Sequence, residues 1–225
     1  MTRGLNISII IIAMKTIGYF GDSFCASSRR ISWCQQLAKK TKRTAVHFGK
    51  PGGSVWDVFM EIERMIKDNT LPDTLFFCYT NPYRLYHRSL SLQVGSSAPN
   101  ERLKDIYDAA NRYYAYVQDK RHEDLRYRYS LQWFDQQVLK PLERKHEIIQ
   151  MWSMDPRLIS VTNMKINLGT GFFINESVCE YAYKHIGKGP DHVFNPKWEN
   201  HLTDQGNSDF ANHIFDKIKS YITFD

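Results

Sequence analysis

Residues 17–25 read Ile17-Gly-Tyr-Phe-Gly-Asp-Ser-Phe-Cys25, an apolar run that passes directly into a small polar turn. The apolar part is typical of a buried strand, and a helical pattern begins a few residues later. This order places Ser23 at the carboxyl edge of a sheet, where open α/β sheets bind ligands. A serine at that edge can act as a nucleophile if a base reaches it. Gly, Asp and Ser are also the commonest turn residues, so an ordinary strand–helix connection stays open.

The residues that follow repeat this alternation of strands and helices. Their patterns predict a helix over 31–40, a strand at Thr44–Phe48, a helix over 54–66 and a buried strand at Thr74–Tyr79. Ser54 and Asp57 form a capping box at the start of the second helix. Such alternation predicts a three-layer α/β/α sandwich with a central, mostly parallel sheet. Right-handed crossovers then bring the three strand ends to one edge.

The second half of the chain predicts a helical insertion around 85–145 and then a return to the sheet. The insertion comprises a surface excursion over 85–100, a helix over 103–117 and a helix from Leu131 to Lys145 that is kinked near Pro141. Its many tyrosines favour either a cover for the sheet or an aromatic wall for a substrate. Beyond it we expect a strand at His146–Ser153, a minor strand at Leu158–Val161, a weak helix over 175–186, a loop over 187–199 and a C-terminal helix over 210–222. We find no linker, and a single domain over 14–225 is predicted.

The composition of the chain limits the classes of partner. The 225 residues carry a net charge of +6, densest at 39–43 and 120–128, which is weaker than the clustered charge of nucleic-acid-binding domains. We therefore expect no nucleic-acid partner, although contact with another anionic partner stays open. The cysteines at 25, 34, 78 and 179 lack the spacing of a zinc site, and Cys34 and Cys78 fall on apolar positions typical of core thiols.

A short apolar run lies near the amino terminus. The run from Ile7 to Met14 has about eight residues, whereas a membrane span needs ~20. A signal peptide is not expected either, because its cleavage would fall against the Ser23 strand. We interpret residues 1–13 either as a dispensable extension or as the product of an upstream start codon chosen in error. We expect a cytoplasmic location in the producing or host cell, which reduced cysteines also favour.

A histidine near the other end of the chain supplies a candidate base. Residues 200–207 read Asn200-His-Leu-Thr-Asp-Gln-Gly-Asn207 and come immediately before the last predicted helix. A loop fixed by a helix can hold the His201 imidazole near a serine hydroxyl. Taken alone, a histidine at this position is more often a capping or surface residue than a catalytic base.

Four short blocks resemble, in the same order, those of the SGNH (GDSL-like) hydrolase superfamily, and they extend over 15–222. The blocks are Gly21-Asp-Ser-Phe24, Gly52-Gly-Ser54, Thr80-Asn81 and Asn200-His-Leu-Thr203. The resemblance implies a flavodoxin-like SGNH fold and a serine esterase without a metal or organic cofactor. The stretch Thr80-Asn-Pro-Tyr-Arg84 is similar to divergent members carried by bacteriophages and other viruses, which adds virion association as an expectation.

The mechanism that this resemblance implies is attack by Ser23 on an ester carbonyl while His201 removes the serine proton. The oxyanion would be held by the backbone N–H groups of Ser23 and Gly53 and by the side-chain amide of Asn81. The implied substrate is an acyl ester or an O-acetylated carbohydrate.

Departures from the family pattern leave several alternatives open. Trp198 stands where the family has its acid, so Glu199, Asp191 or a backbone carbonyl would orient His201, or the pair would act as a dyad. Tyr79 and Pro82 also replace the usual Gly and Asp of the third block. A catalytically weak or inactive glycan-binding relative is therefore an alternative. Nucleotide binding by Gly49-Lys-Pro-Gly-Gly53 is another, although that loop lacks the Walker and GxGxxG patterns.

Overall fold

Five parallel strands form one sheet in the order β2-β1-β3-β4-β5 in the computed structural model, which describes residues 14–26, 32–154, 166–185 and 202–224. The strands are β1 Thr16–Gly21, β2 Thr44–His47, β3 Thr74–Tyr79, β4 Glu147–Trp152 and β5 Phe172–Ser177. The helices are α1 Trp33–Lys40, α2 Val55–Asp68, α3 Lys104–Arg112, α4 Lys120–Trp133, α5 Lys140–Leu142, α6 Val178–His185 and α7 Asp204–Ile218. A π-helical segment, Tyr113–Val117, follows α3, and another, Phe134–Leu139, joins α4 to α5.

Strand β1 lies between β2 and β3, and this position gathers the loops that carry the candidate site. Its register runs from Thr16 opposite Thr44 in β2 and reaches Gly21 opposite Cys78 in β3. A Cβ on Gly21 would lie 2.5 Å from the Cys78 carbonyl oxygen, so this close approach requires glycine. The segments after β1, β2 and β3 therefore leave the sheet side by side at one edge.

Successive strand residues bury opposite faces of the sheet, because side chains alternate along a strand. Tyr19 and Phe76 pack beneath α1, α6 and α7, whereas Phe20 and Phe77 pack beneath α2 and α4. Full burial of one such ring contributes about 1.5–3 kcal/mol. The two cores confirm the predicted α/β/α sandwich and its parallel sheet.

The helix predicted to begin at Leu131 is wrong at its start, because α4 begins at Lys120. Asp119 caps it, and its carboxylate accepts hydrogen bonds from the backbone N–H groups of the first turn. The buried side of that first half is polar: Glu123 accepts from the hydroxyl of Tyr113, at 2.7 Å. The sequence prediction relied on the periodicity of apolar residues. It missed the first half of α4 because the buried residues there are carboxylates. Before Pro141, the predicted kink corresponds to the π-helical segment Phe134–Leu139.

The weak helix predicted over 175–186 is also corrected, because residues 172–177 form β5 and α6 begins only at Val178. The buried Asp135 carboxylate fixes the approach to β5 by accepting from the backbone N–H groups of Gly169 and Thr170. That long-range contact leaves no local pattern in the sequence. The predicted strand at Leu158–Val161, the loop over 187–199 and the extension over 1–13 lie outside the described residues. Across the described ranges, no helix combines the length and apolar character needed to cross a membrane.

Candidate active site

Asp22, the residue before the candidate nucleophile, is the polar centre of this sheet edge. It is fully buried, and its Oδ1 accepts a hydrogen bond from the Phe24 backbone N–H at 3.0 Å. Its Oδ2 accepts from Thr80 Oγ1 at 2.9 Å and from Ser153 Oγ at 3.1 Å. Because Thr80 follows β3 and Ser153 follows β4, one carboxylate ties together the ends of three strands. Such bonds to a charged acceptor are about twice as strong as neutral ones.

Arg84 connects the same carboxylate to the loop after β2. Its Nη1 lies 3.3 Å from Asp22 Oδ2 and donates to the Gly53 carbonyl oxygen at 3.0 Å. The field of Asp22 reaches further: burial raises the pKa of Cys179 to about 12, and the Asp22 charge raises it too. Neither Asp22 nor Arg84 was assigned a role from the sequence.

Ser23 opens a short 3₁₀ turn, Ser23–Cys25, that Asp22 caps. The turn follows β1 without a break, as predicted, and leaves Ser23 half-buried while Phe24 and Cys25 are buried. Within the described part of the chain, no group hydrogen-bonds to the Ser23 hydroxyl. The geometry is compatible with a nucleophile on a fixed turn, and its assignment stays a prediction.

Gly53 lies at the predicted edge, but its backbone N–H is already engaged. It donates to the Lys50 carbonyl oxygen at 2.8 Å and closes a tight turn. Oxyanion donation from Gly53 would require this turn to open, so that role also stays a prediction. Lys50 belongs to the loop considered above for nucleotide binding. Its ammonium already donates to Asp57 at 2.7 Å and to the His87 carbonyl at 2.7 Å, so a phosphate would have to compete with these two acceptors.

The Asn81 side chain is held at one end and is unpaired at the other within the described part of the chain. Its Oδ1 accepts from the Tyr83 backbone N–H at 2.7 Å, which fixes the side chain from one end. Its Nδ2 has no hydrogen-bond partner among the described residues, and the side chain lines a cavity of about 280 Å³. The assignment of Asn81 as an oxyanion donor therefore stays a prediction, as do the effects of Tyr79 and Pro82 on its position.

His201 and the candidate orienting residues Glu199 and Asp191 lie outside the described residues, as does Trp198, which stands where the family has its acid. The residues that follow are well anchored. Asn207 Oδ1 accepts from the Trp33 backbone N–H at 2.9 Å, and its Nδ2 donates to the Leu202 carbonyl at 3.1 Å.

Asn207 thereby connects the segment that follows His201 to the segment that follows Ser23. Trp33 Nε1 donates to the Phe24 carbonyl at 2.9 Å, immediately after Ser23. The backbone next to His201 is thus connected to the Ser23 turn through two side chains. The sequence signal that could have suggested this is the asparagine in the first turn of a helix, a position that commonly bonds nearby backbone.

The cysteine prediction is confirmed for the buried pair. Cys34 and Cys78 are fully buried free thiols near Cys25, and burial raises the pKa of both well above the usual range. Among the described residues, no group of His, Cys, Asp or Glu side chains is arranged to hold a metal ion.

Comparisons with known proteins describe the fold. No protein-family model matches the chain, and no curated protein matches it. Among solved structures, an alpha/beta hydrolase enzyme from the metagenome of Lake Arreo, Spain, superposes with a TM-score of 0.52 at 11% sequence identity. The match covers 93% of this chain and 97% of that one. At this identity the similarity shows the shared α/β fold over nearly the whole chain.

Proposed function

We propose that this protein is a serine ester hydrolase of the SGNH type, with Ser23 as nucleophile and His201 as general base. The observation that carries the proposal is the Asp22-capped turn, which presents Ser23 at the carboxyl edge of β1. The free Asn81 amide supplies a donor for the developing oxyanion. Removal of one such donor lowers kcat by about 10²–10³-fold in well-studied serine hydrolases.

The expected reaction is acyl transfer in two steps. Ser23 Oγ attacks the ester carbonyl as His201 accepts its proton, and the imidazolium then protonates the departing alcohol. Water, deprotonated by His201, releases the acyl group from Ser23 as the acid and restores the free hydroxyl. An acyl ester or O-acetylated carbohydrate fits this chemistry.

A catalytically inactive glycan-binding protein is the second candidate. The observation that favours it is the Gly53 N–H, which is occupied by the Lys50 carbonyl rather than directed to a substrate. Trp198 in place of an acid favours it as well. In that case the polar cavity beside Asn81 would bind a ligand without chemistry at Ser23.

Labelling with a fluorophosphonate separates the two candidates, because only an activated serine reacts. We expect the wild-type protein to be labelled, Ser23→Ala to lose the label, and His201→Gln to be labelled far more slowly. Ser89→Ala, on the exposed excursion, is the matched control and should label like wild type. A folded wild-type protein that resists labelling would exclude the hydrolase. Hydrolysis of p-nitrophenyl acetate should follow the same order, and Asn81→Ala should lower kcat by about 10²-fold.

A further inference from the structure

The cavity beside Asn81 is lined mainly by cationic and carboxamide side chains. It is bounded by Asn81, Tyr83, Arg84, Gln93, Gln118 and Lys120, together with two apolar side chains. Its volume is about 280 Å³, enough for one small polar unit. None of its lining residues in the described part of the chain is acidic. The site combines three carboxamides with two cations.

The three carboxamides offer free hydrogen-bonding groups. Besides Asn81 Nδ2, the side-chain amides of Gln93 and Gln118 have no partner among the described residues. A carboxamide both donates and accepts, so each can pair with a hydroxyl of either polarity. Such a lining suits a ligand that carries several hydroxyl groups.

Lys120 is available to an anion, and Arg84, although paired with Asp22 through Nη1, keeps unbonded nitrogens among the described residues. Lys120 lies over the Tyr83 ring with Nζ 5.9 Å from the centroid, and no carboxylate of the described chain is within ion-pair distance of it. Arg84 uses Nη1 for Asp22 and Gly53, whereas its Nη2 and Nε bond no described residue. Guanidinium groups pair with carboxylates through two nitrogens.

We infer that this cavity binds an acidic carbohydrate, with a carboxylate held between Lys120 and Arg84 and hydroxyls on the carboxamides. On the proposed function, that sugar is the alcohol part of the ester, because Asn81 belongs both to the cavity and to the oxyanion site. The binding itself does not depend on chemistry at Ser23.

The test uses NMR titration of the full chain with the methyl glycoside of glucuronic acid and, as a neutral match, that of glucose. We expect the acid to bind more tightly, with a preference that shrinks at high salt because an exposed cation is screened. Lys120→Gln should weaken binding of the acid about two- to five-fold, the range of an exposed ion pair, and leave the glucoside unchanged. Lys67→Gln makes the same charge change on an exposed residue of α2 and should alter neither.

Equal binding of the two glycosides, no binding of the acid, or equal effects of Lys120→Gln and Lys67→Gln would overturn the inference. Hydrolysis of p-nitrophenyl acetate by the same samples keeps the two proposals apart. Activity on that neutral ester without preference for the acid removes only the carbohydrate assignment. Preference for the acid without esterase activity removes only the hydrolase.

Discussion

The contacts of the Asp22 carboxylate allow the stability of two Asp22 variants to be predicted quantitatively. Asp22→Asn keeps the Oδ1 acceptor for the Phe24 N–H but replaces Oδ2 with an amide donor. Ser153 Oγ can turn to the Tyr79 carbonyl, which already lies 3.1 Å away. Thr80 can reverse its bond and accept. Arg84 has no such choice, because a guanidinium cannot accept a hydrogen bond.

The expected cost of Asp22→Asn is therefore one charge-assisted bond, about 1.5–3 kcal/mol of unfolding free energy. Asp22→Ala also removes the acceptor of the buried Phe24 N–H and the partner of the Thr80 hydroxyl, and each buried group left unpaired costs about 1–3 kcal/mol more. The Asp22 side chain is 1% exposed and that of Arg84 is 14% exposed, so solvent screens this pair only weakly. Asp22→Ala should thus be the more destabilising variant.

Urea unfolding followed by tryptophan fluorescence measures these differences, provided the m-value stays constant. A double-mutant cycle of Asp22→Asn with Arg84→Met should give a coupling energy of about 1 kcal/mol or more. The exposed pair of Asp68 and Arg64 is the control, and its cycle should give about 0.5 kcal/mol or less. The reasoning fails if the Asp22 cycle is additive, or if Asp22→Asn unfolds within about 0.5 kcal/mol of wild type.

Two further predictions concern the anchors of the fold. Asn207→Ala should lower the free energy of unfolding by about 1–3 kcal/mol, because it leaves the Trp33 N–H without its acceptor. The same variant should slow fluorophosphonate labelling. Asn111→Ala, in the insertion, is the control and should leave labelling unchanged. Burial alone would raise the pKa of Glu147, but hydrogen bonds from Thr223, Thr74 and Arg43 lower it below 4.5. A carboxyl whose pKa is lower in the folded state than in the unfolded state stabilises the fold above the unfolded pKa. This stabilisation is lost as the pH falls through the lowered pKa. Glu147→Gln should therefore make urea midpoints less dependent on pH below about 4.5, and an unchanged slope would contradict this.

The sheet was predictable because its strands carry local signals. β1, β3 and β4 are predominantly apolar and buried, as expected for strands covered on both faces, and each was predicted within one or two residues. The helix after Gly53 was predicted from its capping box, in which the Ser54 N–H donates to Asp57 Oδ2 at 2.7 Å. In each case a short stretch of sequence contains both the pattern and the groups that satisfy it.

The errors fall where polar groups distant in sequence determine the structure. The start of α4 is fixed by contacts such as that of buried Asp124 with the Tyr83 hydroxyl, at 2.7 Å. The approach to β5 depends on Asp135, more than thirty residues earlier. Hydrophobic periodicity detects which residues avoid water, but it carries no information about which buried carboxylate meets which distant donor.

The same distinction applies to the site. Ser23 could be predicted to lie at the sheet edge, because a strand ending in a polar turn is a local pattern. Arg84 could not be assigned, because its function depends on Asp22 and Gly53, which lie 62 and 31 residues away in the chain. Arg84 both joins the turn of the candidate nucleophile to the loop of the candidate oxyanion donor and lines the cavity beside Asn81. On the two proposals above, a ligand carboxylate that engages the unbonded nitrogens of Arg84 acts on the same side chain that holds the Ser23 and Gly53 loops together. Binding of that ligand and the geometry of the Ser23 turn should then be coupled through this one residue.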